Sequence, residues 1–233
     1  ERLHYYEGTV WYRRIVHVPP SDTSVDREDH GVERTFLHVG AANHTSRVFV
    51  DGVELATHSG GFDPYAVEVT DVLGEGRHSL VIQVDNRREP DRIPAMRSDW
   101  WNYGGLTRSI DHVGVPATFL RHAWLTMEPG GRIVGGATVD GPGDAVVRVS
   151  VDELGIDLPM ELLGDGEFSI SFDADPERWS PGRPRHYDVT WTCEIDGQTV
   201  DCVTDSVGFR TVTTDGERIA VNGETIFLRG ISM

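Results

Sequence analysis

The chain has 233 residues, enough for one or two domains that each bury a core, and 38% of the residues are hydrophobic. Its 38 acidic and 21 basic residues give a net charge of −17, which argues against nucleic acid or an anionic membrane as a partner. The sequence contains no apolar run near the ~20 residues of a membrane-spanning helix and no signal segment, so we expect a cytoplasmic protein.

The basic residues are unusual because all 21 are arginine and lysine is absent. A GC-rich genome and adaptation to high salt would both favour arginine over lysine. The excess of acid favours the second explanation, since codon bias alone would not remove positive charge. We therefore expect a salt-adapted protein whose carboxylates repel one another at low ionic strength and are screened in brine.

The first part of the chain, residues 1–116, is predicted to be a β-sandwich. Helical patterns are nearly absent, and 26 Gly and 12 Pro interrupt the chain at short intervals. Asp51-Gly52 predicts a tight hairpin turn. The predicted strands are rich in β-branched and aromatic residues. They are Val10–Val18, Arg34–Val39, Arg47–Val50, Val53–Ala56, Tyr65–Thr70, His78–Val84 and Leu106–Val115.

A second β-domain is predicted after the boundary at Val115-Pro116-Ala117. The number and spacing of its strands are typical of an immunoglobulin-like sandwich, although the Cys…Trp…Cys pattern of antibody domains is missing. Cys193 and Cys202 flank Asp196-Gly197, and two cysteines do not make a disulfide framework, so we expect buried free thiols. The predicted strands are 119–128, 132–140, 145–152, 167–172, 186–195 and 199–209.

The chain ends in a segment with a strong hairpin signal. Asn222-Gly223 lies between two short apolar runs, and this dipeptide favours a two-residue turn. The run Ile226-Phe227-Leu228 follows it and would form another strand.

The most unusual segment is the long connection over residues 86–105. Loops of this length in a compact β-domain are uncommon and are usually functional or disordered, and its aromatic residues argue against disorder. Aromatic rings beside carboxylate and amide groups suit a sugar, whose C–H faces stack on the rings while its hydroxyls are hydrogen-bonded. A structural alternative is that Trp100 and Trp101 close the end of the sandwich while Asp99 and Asn102 cap turns.

Two segments carry a resemblance to a known enzyme family. Asp99–Ile110, which reads D-W-W-N-Y-G-G-L-T-R-S-I, resembles the D-F-F-N-Y-[AG]-G-I-x-R-x-V segment of glycoside hydrolase family 2 β-glucuronidases. Residues 218–233 resemble the L-N-G-K-P-I-F-L-R-G segment that leads into that family's catalytic barrel. Matches spread over nearly the whole chain are far more specific than any single one. The other matching segments are Val10–Arg14, Val48–Gly52, Gly60–Tyr65 with Val69–Asp71, Val84–Asn86 with Ile93-Pro94, Trp179–Gly182 with Tyr187, and Val207–Arg210.

The resemblance implies an all-β chain of three parts. Residues 1–116 would form a jelly-roll, galactose-binding-like sandwich whose earliest strands are missing, and residues 117–212 an immunoglobulin-like sandwich. Residues 213–233 would be a linker hairpin leading toward a catalytic (β/α)8 barrel that this chain lacks. The implied enzyme is a retaining β-glycosidase resembling β-glucuronidase, with β-galactosidase of the same family as the alternative.

The resemblance also implies which residues meet the substrate. The aspartate of the matched segment reaches the barrel's active site and hydrogen-bonds the sugar, a role that falls on Asp99. Asn102 and Tyr103 would either support the loop or touch the ligand, and together with Trp100 they are further substrate-binding candidates. The family's two catalytic glutamates lie on barrel strands, so no catalytic residue is assigned here and the chain alone is expected to be inactive. The implied partners are a β-glycoside, the chain's own barrel and, at full length, further copies of the protein; no cofactor is implied.

Two functions from other classes remain open. A stand-alone carbohydrate-binding module would need a preformed sugar site within residues 1–116, with Trp100 and Trp101 as its platform. A purely structural pair of adhesion-type sandwiches would need no site at all. The terminal segment over residues 221–230 distinguishes the family reading from both, because neither alternative needs a strand that leads elsewhere.

Other candidate motifs are weak. The ten histidines show no tight metal-binding spacing, so surface or turn roles and no metal site are expected. Asn43-His-Thr45 fits a glycosylation triplet, but nothing in the sequence indicates secretion.

Overall fold

A computed structural model describes residues 6–19, 33–93, 95–97 and 101–230. The chain divides into two compact units, residues 1–115 and 116–233. Within the described part, the helical content is one 3₁₀ turn at Asp152–Leu154, and the regular structure is otherwise strand. The prediction of an all-β chain is confirmed.

The described residues of unit 1 form two main sheets and one short strand pair. One sheet has the order β1-β7-β4-β5, the other has the order β6-β2-β9, and β3 pairs with β8. The strands are β1 Thr9–Val18, β2 Arg34–Val39, β3 Ala42–Asn43, β4 Thr45–Val50, β5 Val53–Ser59, β6 Tyr65–Glu68, β7 Gly76–Asp85, β8 Gly105–Leu106 and β9 Ile110–Val115.

The core of unit 1 lies between its two main sheets. Alternate residues of β7, namely Leu80, Ile82 and Val84, are buried, as the period of two along a strand requires. They share one apolar cluster with β2 residues such as Leu37 and Val39. The Asp51-Gly52 turn joins β4 to β5, with Val50 opposite Val53, as the sequence predicts.

Strand β1 is at the edge of its sheet among the described residues. It pairs with β7 over its full length, from Thr9 opposite Asp85 to Val18 opposite Gly76. Its large side chains Trp11, Tyr12 and Ile15 are exposed. The strand is therefore held by its backbone ladder more than by burial.

Unit 2 contains a sandwich and a small terminal sheet. The sandwich sheets have the orders β10-β11-β15-β14 and β13-β12-β16-β17. Lettered A to G in chain order, with β13 as an added strand beside C, the two orders read A-B-E-D and C′-C-F-G, the orders expected for the predicted immunoglobulin-like sandwich. The strands are β10 Phe119–Met127, β11 Ile133–Asp140, β12 Val146–Val151, β13 Ile156–Pro159, β14 Glu161–Gly164, β15 Glu167–Phe172, β16 Tyr187–Ile195, β17 Gln198–Val207, β18 Val212–Asp215, β19 Arg218–Val221 and β20 Glu224–Ile226.

The two cysteines of unit 2 are free, as predicted, but only one is buried. Cys193 is opposite Asp201, and Cys202 is opposite Thr192, because a two-residue turn and a bulge offset the strands. The two thiols therefore do not face each other across the ladder. Burial raises the pKa of the Cys193 thiol to about 11. The expectation of burial is wrong for Cys202, which is exposed on β17.

The terminal sheet has the order β18-β19-β20, and Asn222-Gly223 forms the predicted tight turn between its last two strands. Asn222 donates its Nδ2 hydrogen to the Trp179 carbonyl oxygen at 2.9 Å and accepts from the Thr211 amide at 3.1 Å. The turn is therefore tied to the sandwich of unit 2. Beyond it, Phe227 is 84% exposed and Leu228 67% exposed.

Candidate functional site

The candidate site is the long connection between β7 and β8 in unit 1. Its described residues are 86–93, 95–97 and 101–104. Asp99 and Trp100, two of the four predicted substrate-binding residues, lie outside the described residues. Their roles stay predictions.

Three buried asparagines join the two ends of this connection. Asn43, Asn86 and Asn102 are each no more than 4% exposed. Asn43 donates through Nδ2 to Asn102 Oδ1 at 3.0 Å and to the Tyr103 carbonyl oxygen at 2.7 Å. Asn86 donates through Nδ2 to the Asn102 carbonyl oxygen at 3.2 Å, and Asn102 donates back to the Asn86 carbonyl oxygen. We name these three residues the amide clamp.

The amide clamp explains why residue 104 is glycine. A Cβ atom at Gly104 would lie 2.2 Å from Asn86 Nδ2, closer than real Cβ contacts allow. Asn86 also accepts from the Gly8 amide at 2.8 Å and donates to the Tyr6 carbonyl oxygen at 3.0 Å. The clamp thus fixes the base of the loop and the entry into β1 at the same time.

The clamp places Asn102 in a supporting position. Its side-chain oxygen accepts from Asn43, its side-chain nitrogen donates to Asn86, and the residue is 3% exposed. An amide that is buried with both ends hydrogen-bonded has little capacity left for a sugar hydroxyl. Of the two roles that the sequence leaves open for Asn102, support of the loop fits this geometry better.

The aromatic residues at the end of the loop have different environments. Tyr103 is 57% exposed and lines a cavity with Tyr6 and Tyr12 from the start of the chain. Trp101 is partly buried, and the Arg88 guanidinium lies 6.0 Å from its ring centroid. Among the predicted residues that the structure describes, Tyr103 therefore offers an accessible ring.

The first residues of the loop are held by ion pairs. Arg87 donates through Nε to both carboxylate oxygens of Asp85, and hydrogen bonds from this guanidinium lower the pKa of Asp85 to about 2. Arg88 pairs with Glu7 at 3.0 Å, and Arg92 pairs with Glu89 at 3.0 Å. The local arginines therefore meet carboxylates of the same unit, which reduces the positive charge available to an anionic ligand.

Sequence reasoning missed the polar residues beneath the loop. Burial lowers the pKa of His44, and its Nδ1 and the Nε2 of His58 are buried without a hydrogen-bond partner. The two histidines belong to neighbouring strand ends, where the Gly60 amide donates to the His44 carbonyl oxygen at 3.1 Å.

Asn43, which opens the glycosylation triplet, is buried in the amide clamp and has no space for a glycan. Asn43 differs from an asparagine at an exposed triplet only in its burial. Burial cannot be read from the sequence, so sequence reasoning missed this residue.

Two kinds of feature are absent from the described residues, a metal-binding cluster and a membrane-spanning helix. No group of three or more His, Cys, Asp or Glu side chains there is arranged to hold a metal ion. No helix in the described part has the length and apolar character needed to cross a membrane.

Comparison with protein families identifies one match. Residues 137–210, which run from β11 to the end of the sandwich in unit 2, match the family described as "Glycosyl hydrolases family 2".

Comparison with individual proteins extends the similarity to nearly the whole chain. A β-glucuronidase of Paenibacillus borealis is 27% identical over 96% of this chain and 40% of its own length. A β-galactosidase of an Arthrobacter species is 27% identical over 95% of this chain and 20% of its own length. The solved structure of a Bifidobacterium dentium β-glucuronidase complexed with coumarin-3-O-glucuronide shares the fold. Its TM-score is 0.81 at 23% identity, over 96% of this chain and 43% of that one. The chain thus spans less than half the length of each.

Proposed function

Because residues 137–210 match glycoside hydrolase family 2, we propose that the chain is the non-catalytic front portion of a retaining β-glycosidase that resembles β-glucuronidase. In this proposal residues 1–116 are the jelly-roll domain, residues 117–212 the immunoglobulin-like domain, and residues 213–233 the link to a catalytic barrel. The observation that carries the proposal is similarity to a β-glucuronidase over 96% of the chain but only 40% of the relative.

The proposed contribution of this chain is a loop that completes the sugar pocket of the barrel. A loop that reaches into another domain must hold its position when the ligand is absent, since every ångström of misplacement weakens the contact. The amide clamp supports such a role because Asn86, the first residue of the loop, donates to Asn102 at the other end, and Asn43 donates to Tyr103 beside it. Asp99, between these two ends, would accept hydrogen bonds from hydroxyls of the bound sugar.

The bond-breaking groups are proposed to belong to the barrel. Retaining glycosidases use two carboxyl groups about 5–5.5 Å apart, one as nucleophile and one as acid and base. We assign neither group to the described residues. The 233-residue chain is therefore expected to release no p-nitrophenol from p-nitrophenyl β-D-glucuronide, and turnover by the pure chain would overturn this assignment.

A β-galactosidase of the same family is the second candidate, and the Arthrobacter relative favours it. The two sugars differ in the group on carbon 5, a carboxylate in glucuronate and a hydroxymethyl in galactose, and in the configuration of the hydroxyl on carbon 4. The residues that distinguish these groups are expected in the barrel. The test is to compare kcat/KM for the two p-nitrophenyl glycosides with an enzyme that includes the barrel; preference for the galactoside would replace the first candidate with the second.

We predict that Asp99→Ala in the barrel-containing enzyme lowers kcat/KM about 10- to 100-fold, the range expected when a charged hydrogen bond to substrate is lost. The melting temperature should stay unchanged. Asp91→Ala, which removes an exposed carboxylate from the same loop, is the matched control and should retain activity. An equal loss of melting temperature and activity in Asp99→Ala would instead support a turn-capping role.

A further inference from the structure

Unit 1 contains a cavity of about 270 Å³ beside the amide clamp. Three tyrosines from different parts of the chain line it: Tyr6 precedes β1, Tyr12 lies on β1, and Tyr103 follows the clamp residue Asn102. All three are substantially exposed, with fractions of 43%, 37% and 57%. A ligand could therefore reach each ring without a change in the fold.

Glycine at position 105 allows the cavity to form. Its φ of +96° is disfavoured for residues with a side chain, and a Cβ atom there would lie 2.2 Å from the Tyr12 hydroxyl oxygen. The Tyr12 phenol can therefore lie directly against the backbone of the loop end. Asn86 lines the same cavity and is fixed by hydrogen bonds to Gly8, Tyr6 and Asn102. The walls are thus preformed, which lowers the entropic cost of binding.

The chemistry of the lining restricts the ligand. The described residues that line the cavity include no charged side chain, although the chain carries a net charge of −17. A carboxylate or phosphate placed there would find no cationic partner among these residues. The phenol rings offer apolar faces, and their hydroxyls both donate and accept hydrogen bonds. This combination suits a ligand that is neutral, has an apolar face and is rich in hydroxyls.

The size of the cavity restricts the ligand further. Sites for drug-sized molecules have volumes of about 300–1,000 Å³, so a cavity slightly below this range suits one small ring rather than a longer chain. We propose that this tyrosine cavity binds a single neutral hexopyranose unit. The binding is a property of unit 1 itself and does not depend on the proposed hydrolytic function.

The test is a calorimetric titration of the 233-residue protein with methyl β-D-glucopyranoside. We expect a dissociation constant in the millimolar range, about 1–10 mM, because the site is small and open. Tyr12→Ala and Tyr103→Ala should each weaken binding about 3- to 10-fold, as loss of one aromatic contact predicts. Absence of binding at about ten times the upper expected constant would overturn the proposal.

Two controls keep the test specific. Phe62→Ala removes a ring that is 59% exposed in the same unit but does not line the cavity, and it should leave affinity unchanged. Methyl β-D-glucuronide should bind more weakly than the glucoside, because its carboxylate finds no cationic partner among the described residues that line the cavity. Equal affinity for the two sugars, or equal loss of affinity in Phe62→Ala and Tyr103→Ala, would also overturn the proposal. Circular dichroism of each variant separates a lost site from a lost fold.

Discussion

At the scale of single residues, position decides what a polar side chain does. Asn102 and Tyr103 are neighbours in the segment that resembles β-glucuronidases, and for both the sequence leaves open whether the residue supports the loop or touches the ligand. Asn102 is buried and hydrogen-bonded at both ends of its amide, whereas Tyr103 is exposed at a cavity. Asn43 received no functional role from the sequence, yet it makes two hydrogen bonds that close the loop.

We predict that Asn102→Ala destabilises the protein by about 2 kcal/mol, since it leaves buried partners on Asn43 and Asn86 unsatisfied. Asn102→Asp should cost at least as much, because it replaces the donor that faces the Asn86 carbonyl oxygen with an acceptor. The measurement is urea denaturation of each variant.

The control for this prediction is Gln198→Ala, which removes an exposed amide from β17. It should change the free energy of unfolding by no more than about 0.5 kcal/mol. If Asn102→Ala is as mild as this control, the amide clamp does not hold the loop.

At the scale of elements, the turns show how local sequence fixes local geometry. Asn222 and Gly223 both have positive φ, at 53° and 84°, which is the conformation that a two-residue hairpin turn requires. The Asn222 side chain then bonds to Thr211 and to Trp179. The dipeptide alone predicts the turn. The two partners of Asn222 lie 11 and 43 residues away in the chain, and their hydrogen bonds hold the terminal sheet in unit 2.

We predict that Gly223→Ala destabilises the protein by about 1 kcal/mol, because an alanine must then adopt a positive φ. The space around residue 223 is open, so the cost comes from the backbone and not from a clash. Thermal or urea unfolding measures it.

Gly74→Ala is the matched control, since residue 74 has equally open surroundings and no positive φ. It should be neutral or slightly stabilising. Equal effects of the two substitutions would contradict the assigned turn geometry.

At the scale of the whole molecule, charge is the dominant feature. The chain has 38 acidic and 21 basic residues, so many carboxylates lack a cationic partner. The ion pairs that do form, such as Arg34 with Glu68 and Arg148 with Asp157, lie on partly exposed surface where each contributes little. Repulsion among the excess carboxylates should therefore outweigh these pairs when salt is low.

We predict that the melting temperature rises as NaCl increases from about 0.1 M to molar levels, because the Debye length falls from about 10 Å to about 3 Å. Relief of each kcal/mol of repulsion should raise the melting temperature by about 2–4 °C for a chain of this size. Potassium chloride should act in the same way if screening is the cause. A flat or falling response would exclude salt adaptation.

Much of the fold could be predicted because strands and turns are encoded locally. Alternating apolar residues indicated β7, and Asp51-Gly52 and Asn222-Gly223 indicated their turns. The sequence analysis missed the short strands β13 and β14, because Ile156–Pro159 and Glu161–Gly164 are only four residues long. In β14 the neighbouring residues Leu162 and Leu163 are both exposed, which breaks the alternation of apolar and polar residues.

The sequence by itself determined the all-β class and the resemblance to glycoside hydrolase family 2, because residue patterns and ordered motifs are read along one dimension. Only the tertiary structure decided that Asn43 and Asn86 meet Asn102, and that Tyr103 lines one cavity with Tyr6 and Tyr12. These groups are 16 to 97 residues apart in the chain. These arrangements depend on how strand ends from different sheets converge. Interactions between such distant residues produce no periodic pattern in the sequence.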